Sequence, residues 1–134
     1  MTLHEIYHAV IRHLYQQMAI SLNRDETIQC AYRGEGGTKC AVGALIPDRY
    51  YSPRMEGFQP SDNIVQSALV ASGVLDKDES TNVRLYKIRL LTELQTIHDS
   101  FYAREDWPWS RTVSKLKERG EQMGLSWPEG VPLA

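Results

Sequence analysis

The chain has 134 residues, enough for one domain with a real core and too few for two. At 42% hydrophobic and 24% charged it has an ordinary globular composition, and 15 basic against 17 acidic residues remove the general electrostatic case for wrapping nucleic acid. No apolar run approaches the ~20 residues that span a bilayer and no basic-then-apolar leader opens the chain, so the expectation is a cytoplasmic protein, without membrane contact, whose two cysteines are thiols.

In chain order, Thr2 with Glu5 three residues later makes a capping box. Leu3, Ile6, Tyr7, Val10, Leu14 and Met18 then recur at helical spacing, which predicts an amphipathic helix over 3–18. After a polar stretch come two short β-prone runs, residues 28–33 and 38–46, around Gly34-Glu35-Gly36-Gly37. They read as a β-hairpin, with the second run open to turning helical after Cys40. Pro47 ends that unit, and 48–57 is a loop rich in Tyr, Pro and Arg. Ser61 or Asp62 caps a helix carrying Ile64, Val65, Ala68 and Leu69, closed by Gly73. Ser80 caps the longest helix, whose Val83, Leu85, Ile88, Leu91, Leu94, Ile97 and Phe101 form one stripe over about six turns. Ser110 opens a last helix to about Met123, stopped by Gly124, and Leu125 to Pro128 docks back onto the body. The expected fold is α+β: mainly α-helical, about four helices, with one short β-hairpin, as a single domain over 1–134.

Candidate chemistry begins at His4-Glu5-Ile6-Tyr7-His8, which spells the H-E-x-x-H of zinc proteases. The extended pattern fails: Ile11 and Leu14 stand where a glycine and a third histidine would follow, and no strand can precede residue 4 to hold a substrate. Glu93 is a nominal distant third ligand with no more claim than other acidic residues. Two histidines on the surface of a capped helix, able to take metal adventitiously, are the simpler reading.

Residues 30–57, CAYRGEGGTKCAVGALIPDRYYSPRMEG, are more distinctive. Cys30, Tyr32 and Arg33 spell C-x-Y-R. Then Gly37, Lys39, Cys40, Ala41, Gly43, Leu45, Ile46, Pro47, Asp48 and Tyr51 spell G-x-K-C-A-x-G-x-L-I-P-D-x-x-Y, and Met55, Glu56 and Gly57 close with M-E-G. A second block, Leu91 to Asp99, reads L-x-x-L-Q-x-I-H-D. Together they resemble a family of short proteins encoded by bacteriophages and prophages, departing from it at Ala44, where that family often carries a further cysteine. The resemblance implies a phage origin and action in the bacterial host cytoplasm, and it implies no particular activity.

Three chemistries compete for these blocks. Cys40 with His98 and Asp99 could form a thiol enzyme, if the imidazole reaches the thiol; the structural alternative is a core cysteine beside a histidine favoured by a helix C-terminus. Cys30, Cys40 and His98 could hold a structural metal, provided the hairpin register pairs Cys30 with Cys40 rather than with Ala41, because a one-residue slip flips every side chain. The glycine-rich tip matches neither G-x-G-x-x-G nor the G-K-[ST] of a phosphate-binding loop. It is nevertheless flanked by Arg33, Lys39, Arg49 and Arg54 beside Tyr32, Tyr50 and Tyr51, a set suited to an anion, a nucleotide or an acidic protein surface, with solvated charges around a turn as the plainer reading. Trp107 and Trp109 are either buried against the body or presented to a partner. No complete catalytic constellation is present and no cofactor is called for. The expectation is a phage-type accessory protein that binds and inhibits a host protein or complex, as anti-defence proteins such as inhibitors of CRISPR complexes do. A binder of a small nucleotide signal and a Cys40/His98 enzyme remain the alternatives.

Overall fold

A computed structural model describes the backbone of residues 1–18, 22–23, 29–100 and 108–133, and side chains over 1–18, 31–100 and 108–133. Four α-helices dominate: α1 (Leu3–Gln17), α2 (Asn63–Ala71), α3 (Thr81–Ser100) and α4 (Trp109–Gln122). The expected α+β fold with a β-hairpin is not what forms; among the described residues the fold is all-α. Extended pairing among the described residues is limited to Leu22–Asn23 running antiparallel to Gln29–Cys30, with Leu22 opposite Cys30. Two residues a side make no layer.

The hairpin fails for a physical reason. The backbone groups that a ladder would satisfy go to two charged side chains instead: the N–H groups of Tyr32 and Arg33 donate to the Glu56 carboxylate, and the carbonyls of Tyr32, Gly43 and Ile46 accept from the Arg33 guanidinium. The tip keeps turn bonds, Gly34 N–H to the Thr38 carbonyl at 2.8 Å and Thr38 N–H to the Glu35 carbonyl at 3.4 Å. Beyond Cys40 the chain winds into three 3₁₀ turns, Gly43–Leu45, Asp48–Tyr50 and Pro53–Met55.

The helices follow from their caps and stripes. The Thr2/Glu5 capping box forms in full, with Thr2 N–H donating to Glu5 Oε1 at 2.8 Å and Glu5 N–H to Thr2 Oγ1 at 3.1 Å. Ile6, Tyr7, Val10, Ile11 and Leu14 bury its inner face, whereas Met18 ends α1 in a left-handed conformation and is 56% exposed. Asp62 is the N-cap of α2, and Ser80 Oγ accepts from Val83 N–H at the start of α3. Along α3 the buried set is Ile88, Leu90, Leu91, Leu94 and His98, together with Lys87. Val83 and Leu85, expected in the stripe, are exposed, and Phe101 lies outside the described residues. Helix α4 begins after Pro108, so Ser110 sits inside the first turn rather than at the cap.

Helix α3 packs against both α1 and α4. The close approach of α1 to α4 depends on Gly120, where a Cβ would fall 2.3 Å from the Tyr7 phenol oxygen. That phenol donates to the Leu116 carbonyl at 2.8 Å, satisfying a buried hydroxyl. The tail does return to the body: Leu125 is buried, and the Trp127 ring lies edge-on to Tyr7 and Tyr15. Trp109 is half-buried against Tyr15, while Trp107 lies outside the described residues. Among the described residues no helix is long and apolar enough to cross a membrane.

Candidate functional site

The loop from Ala31 to Pro60 is built around Arg33 and Glu56. Arg33 spans three carbonyls, meets Asp48 through Nε and Nη2 at 3.1 Å each, and lies over the Tyr51 ring with its guanidinium carbon 4.7 Å from the centroid. Planar guanidinium with its fixed fork of donors suits this multi-carbonyl role where an ammonium would not. Glu56 accepts from two backbone N–H groups and from the Tyr51 hydroxyl, which donates at 2.6 Å. Burial, and then the hydrogen bond to Glu56, push the Tyr51 phenol up to about 12. Tyr32 donates its hydroxyl to the Phe58 carbonyl and is buried. Gly43 completes the wiring, because a Cβ there would sit 2.4 Å from the Tyr32 carbonyl oxygen, a fixed backbone atom.

The seven residues nominated as a binding set therefore divide. Tyr32, Arg33 and Tyr51 turn inward and hold the loop's shape. Arg49, Tyr50 and Arg54 are exposed, with the Arg49 guanidinium stacked 4.8 Å from the Tyr50 centroid. Lys39 is half-buried, and its backbone is clamped by α1: its N–H donates to Gln17 Oε1, and its carbonyl accepts from Gln17 Nε2 and meets His13 Nε2. Phe58, 50% exposed, joins the outer set. Sequence gave no periodic signal for it; its place just after M-E-G was the available clue.

Cys40 is 1% exposed and accepts a hydrogen bond from Gly43 N–H at 3.3 Å. Burial above all pushes its thiol up to about 12, away from the thiolate form that a nucleophile needs. His98 is buried on α3 with Nδ1 4.0 Å from Asp99 Oδ1. Neither proposed cysteine register exists, since Cys30 faces Leu22 in the backbone pairing, and the Cys30 side chain lies outside the described residues. Among the described residues no group of three His, Cys, Asp or Glu side chains is placed to hold a metal ion.

The H-E-x-x-H residues have other work. Glu5 is committed to its cap, and the hydrogen bond from the Thr2 backbone lowers its carboxyl below the usual range. His8 Nε2 lies 2.9 Å from the Ser126 carbonyl, which can only accept, so that nitrogen carries the proton. Glu93 is ion-paired with Arg89 at 3.2 Å and Arg119 at 3.4 Å.

Sequence reasoning missed a buried ion pair. Lys87 Nζ donates to Glu79 Oε1 at 2.6 Å and lies 3.7 Å from Asp76, while Arg84 reaches Glu79 at 3.5 Å. Lys87 occupies a core-facing position of α3, and Asp76, Asp78 and Glu79 upstream were the signal that could have found its partners.

Set beside known proteins, the chain matches no family model, no curated protein and no solved structure.

Proposed function

We propose that this is a small phage-type accessory protein that binds a host protein or complex stoichiometrically and inhibits it, acting as an anti-defence factor in the manner of inhibitors of CRISPR complexes. The observation that carries the binding reading is the division of the 31–60 loop. An inward set, Arg33, Glu56, Tyr32 and Tyr51, fixes the backbone, and an outward set, Arg49, Tyr50, Arg54 and Phe58, is displayed on it. Binding is weakened by the cost of ordering a loop, and this loop is ordered beforehand by its own side chains. Arginine and aromatic residues are the types that dominate protein interfaces energetically. The phage identity comes from the resemblance of the motif residues, and the inhibitory role extends it. The nucleotide alternative loses its main residue, because the Arg33 guanidinium is already engaged by three carbonyls and Asp48.

The test is an affinity pull-down of the tagged protein from bacterial lysate, run beside an Arg49→Ala, Tyr50→Ala, Arg54→Ala variant, with bound proteins and small molecules identified by mass spectrometry. The expected result is a stoichiometric protein partner lost in the triple variant, whose melting temperature stays close to that of the parent because none of the three residues is buried. A partner retained by the variant would move the interface elsewhere. Recovery of a nucleotide and no protein would overturn the reading.

A further inference from the structure

The first half of α3 leaves an apolar strip exposed. Leu85 is 58% and Tyr86 56% exposed, and with Val83 they form the densest run of exposed large apolar side chains among the described residues. Single exposed apolar residues are ordinary, whereas a cluster of them on one helix marks a contact surface. Leu85 and Tyr86, with Asn82 and Arg89, line a hollow of about 370 Å³. Their spacing is i, i+3, i+4 and i+7, the set of four that receives one side chain of a facing helix when helices pack knobs into holes. The hollow therefore has the form of a seat for a helix.

The same spacing decides which helix fits. A two-fold axis crossing α3 midway between Leu85 and Tyr86 maps the four positions onto one another, so an antiparallel second copy would set Leu85 opposite the partner's Tyr86 and Asn82 opposite the partner's Arg89. The pairs match in chemistry. At the centre an aliphatic side chain meets an aromatic ring, and at both ends an amide carbonyl meets a guanidinium. Arg89 has donors to give, because its bond to Glu93 at 3.2 Å uses Nε and its side chain stays 62% exposed. We infer that this face of α3 pairs with the same face of a second copy of the chain, antiparallel, with Leu85 as the knob. Only about two turns of helix meet, so the dimer is a weak one, with a dissociation constant on the order of 0.1 mM. Arg49, Tyr50, Arg54 and Phe58 are not on this face, and the pairing does not rest on the proposed inhibitory role.

The experiment is sedimentation equilibrium of the whole protein from about 10 µM to about 1 mM. The expected result is a mass that rises from one chain toward two across that range. Leu85→Glu puts a carboxylate at the centre of the contact and should abolish the rise, with an unchanged melting temperature because Leu85 is exposed. The register is read at position 82. Asn82→Glu sets a carboxylate opposite the partner's Arg89 twice over and should tighten the dimer about fivefold, whereas Asn82→Lys sets like charges together and should loosen it. A single-chain mass throughout the range would overturn the inference and leave this face to a helix of another protein. So would a dimer that Leu85→Glu leaves intact, or one that Asn82→Glu and Asn82→Lys move in the same direction or not at all.

Discussion

Arg33 shows how a single side chain can replace a strand. Its guanidinium serves the carbonyls of Tyr32, Gly43 and Ile46; the Gly43 carbonyl also accepts from Ile46 N–H at 3.2 Å, so the loss of Arg33 falls on the carbonyls of Tyr32 and Ile46. A lysine at this position keeps the charge and loses the fork. Arg33→Lys is therefore expected to lower stability by about 2 kcal/mol, read as a fall in urea midpoint at unchanged slope. A fall smaller than that of an exposed control such as Arg54→Lys would show the wiring to be incidental. The same residue explains a limit of reading the chain by type. Arg33 next to tyrosines was recognisable as significant, yet composition cannot tell an arginine that binds a ligand from one that binds its own backbone. The distinction depends on which carbonyls come within reach, and those are contributed by residues as far along as Ile46.

Elements governed by local rules were legible. The capping box of α1 and the length of α3 follow from short-range hydrogen bonding and periodicity, within a residue or two of where spacing put them; α2 also starts after Asp62, although the Asp62 carboxylate accepts from Gln59 N–H at 2.7 Å rather than capping the helix. The hairpin was misread because β-prone residues and a glycine tip specify only a tendency, which the long-range Arg33 and Glu56 bonds override. On α3 the stripe was displaced for a related reason: Lys87 is buried by its ion pair with Glu79, whereas Val83 and Leu85 face out. That pair makes the α2–α3 junction acid-sensitive. Burial raises the Glu79 carboxyl, but the hydrogen bonds and charges of Lys87, Asp76 N–H and Arg84 outweigh it, and the net shift is below the ordinary 4.5. A depressed folded value means that its stabilising contribution is present above pH 4.5 and is lost as pH falls through the folded value. Urea midpoints measured from pH 7 downward should accordingly drop less steeply below pH 4.5 in Glu79→Gln than in the parent. Parallel profiles would mean that the pair has no part in acid unfolding.

At the scale of the whole molecule, one core joins the helices to the loop: Cys40, Ala41, Val42 and Ile46 belong to the same buried cluster as Leu14 of α1 and Leu94 of α3. The Cys40 thiol is thus a probe of global opening. Iodoacetamide should leave Cys40 unmodified in the native protein and label it at the rate of unfolding, with peptide mapping separating it from Cys30. Rapid native labelling of Cys40 would show that the loop opens independently of the helices. The inward wiring of that loop also bears on how likeness between proteins can be interpreted. Arg33, Gly43, Asp48 and Glu56, the residues that make the segment recognisable, spend their chemistry on one another. Arg49, Tyr50 and Arg54, which meet the solvent, can be exchanged without disturbing them. A second protein sharing the signature would inherit the shape and remain at liberty to display a different outer face, as a common handle accepts different blades.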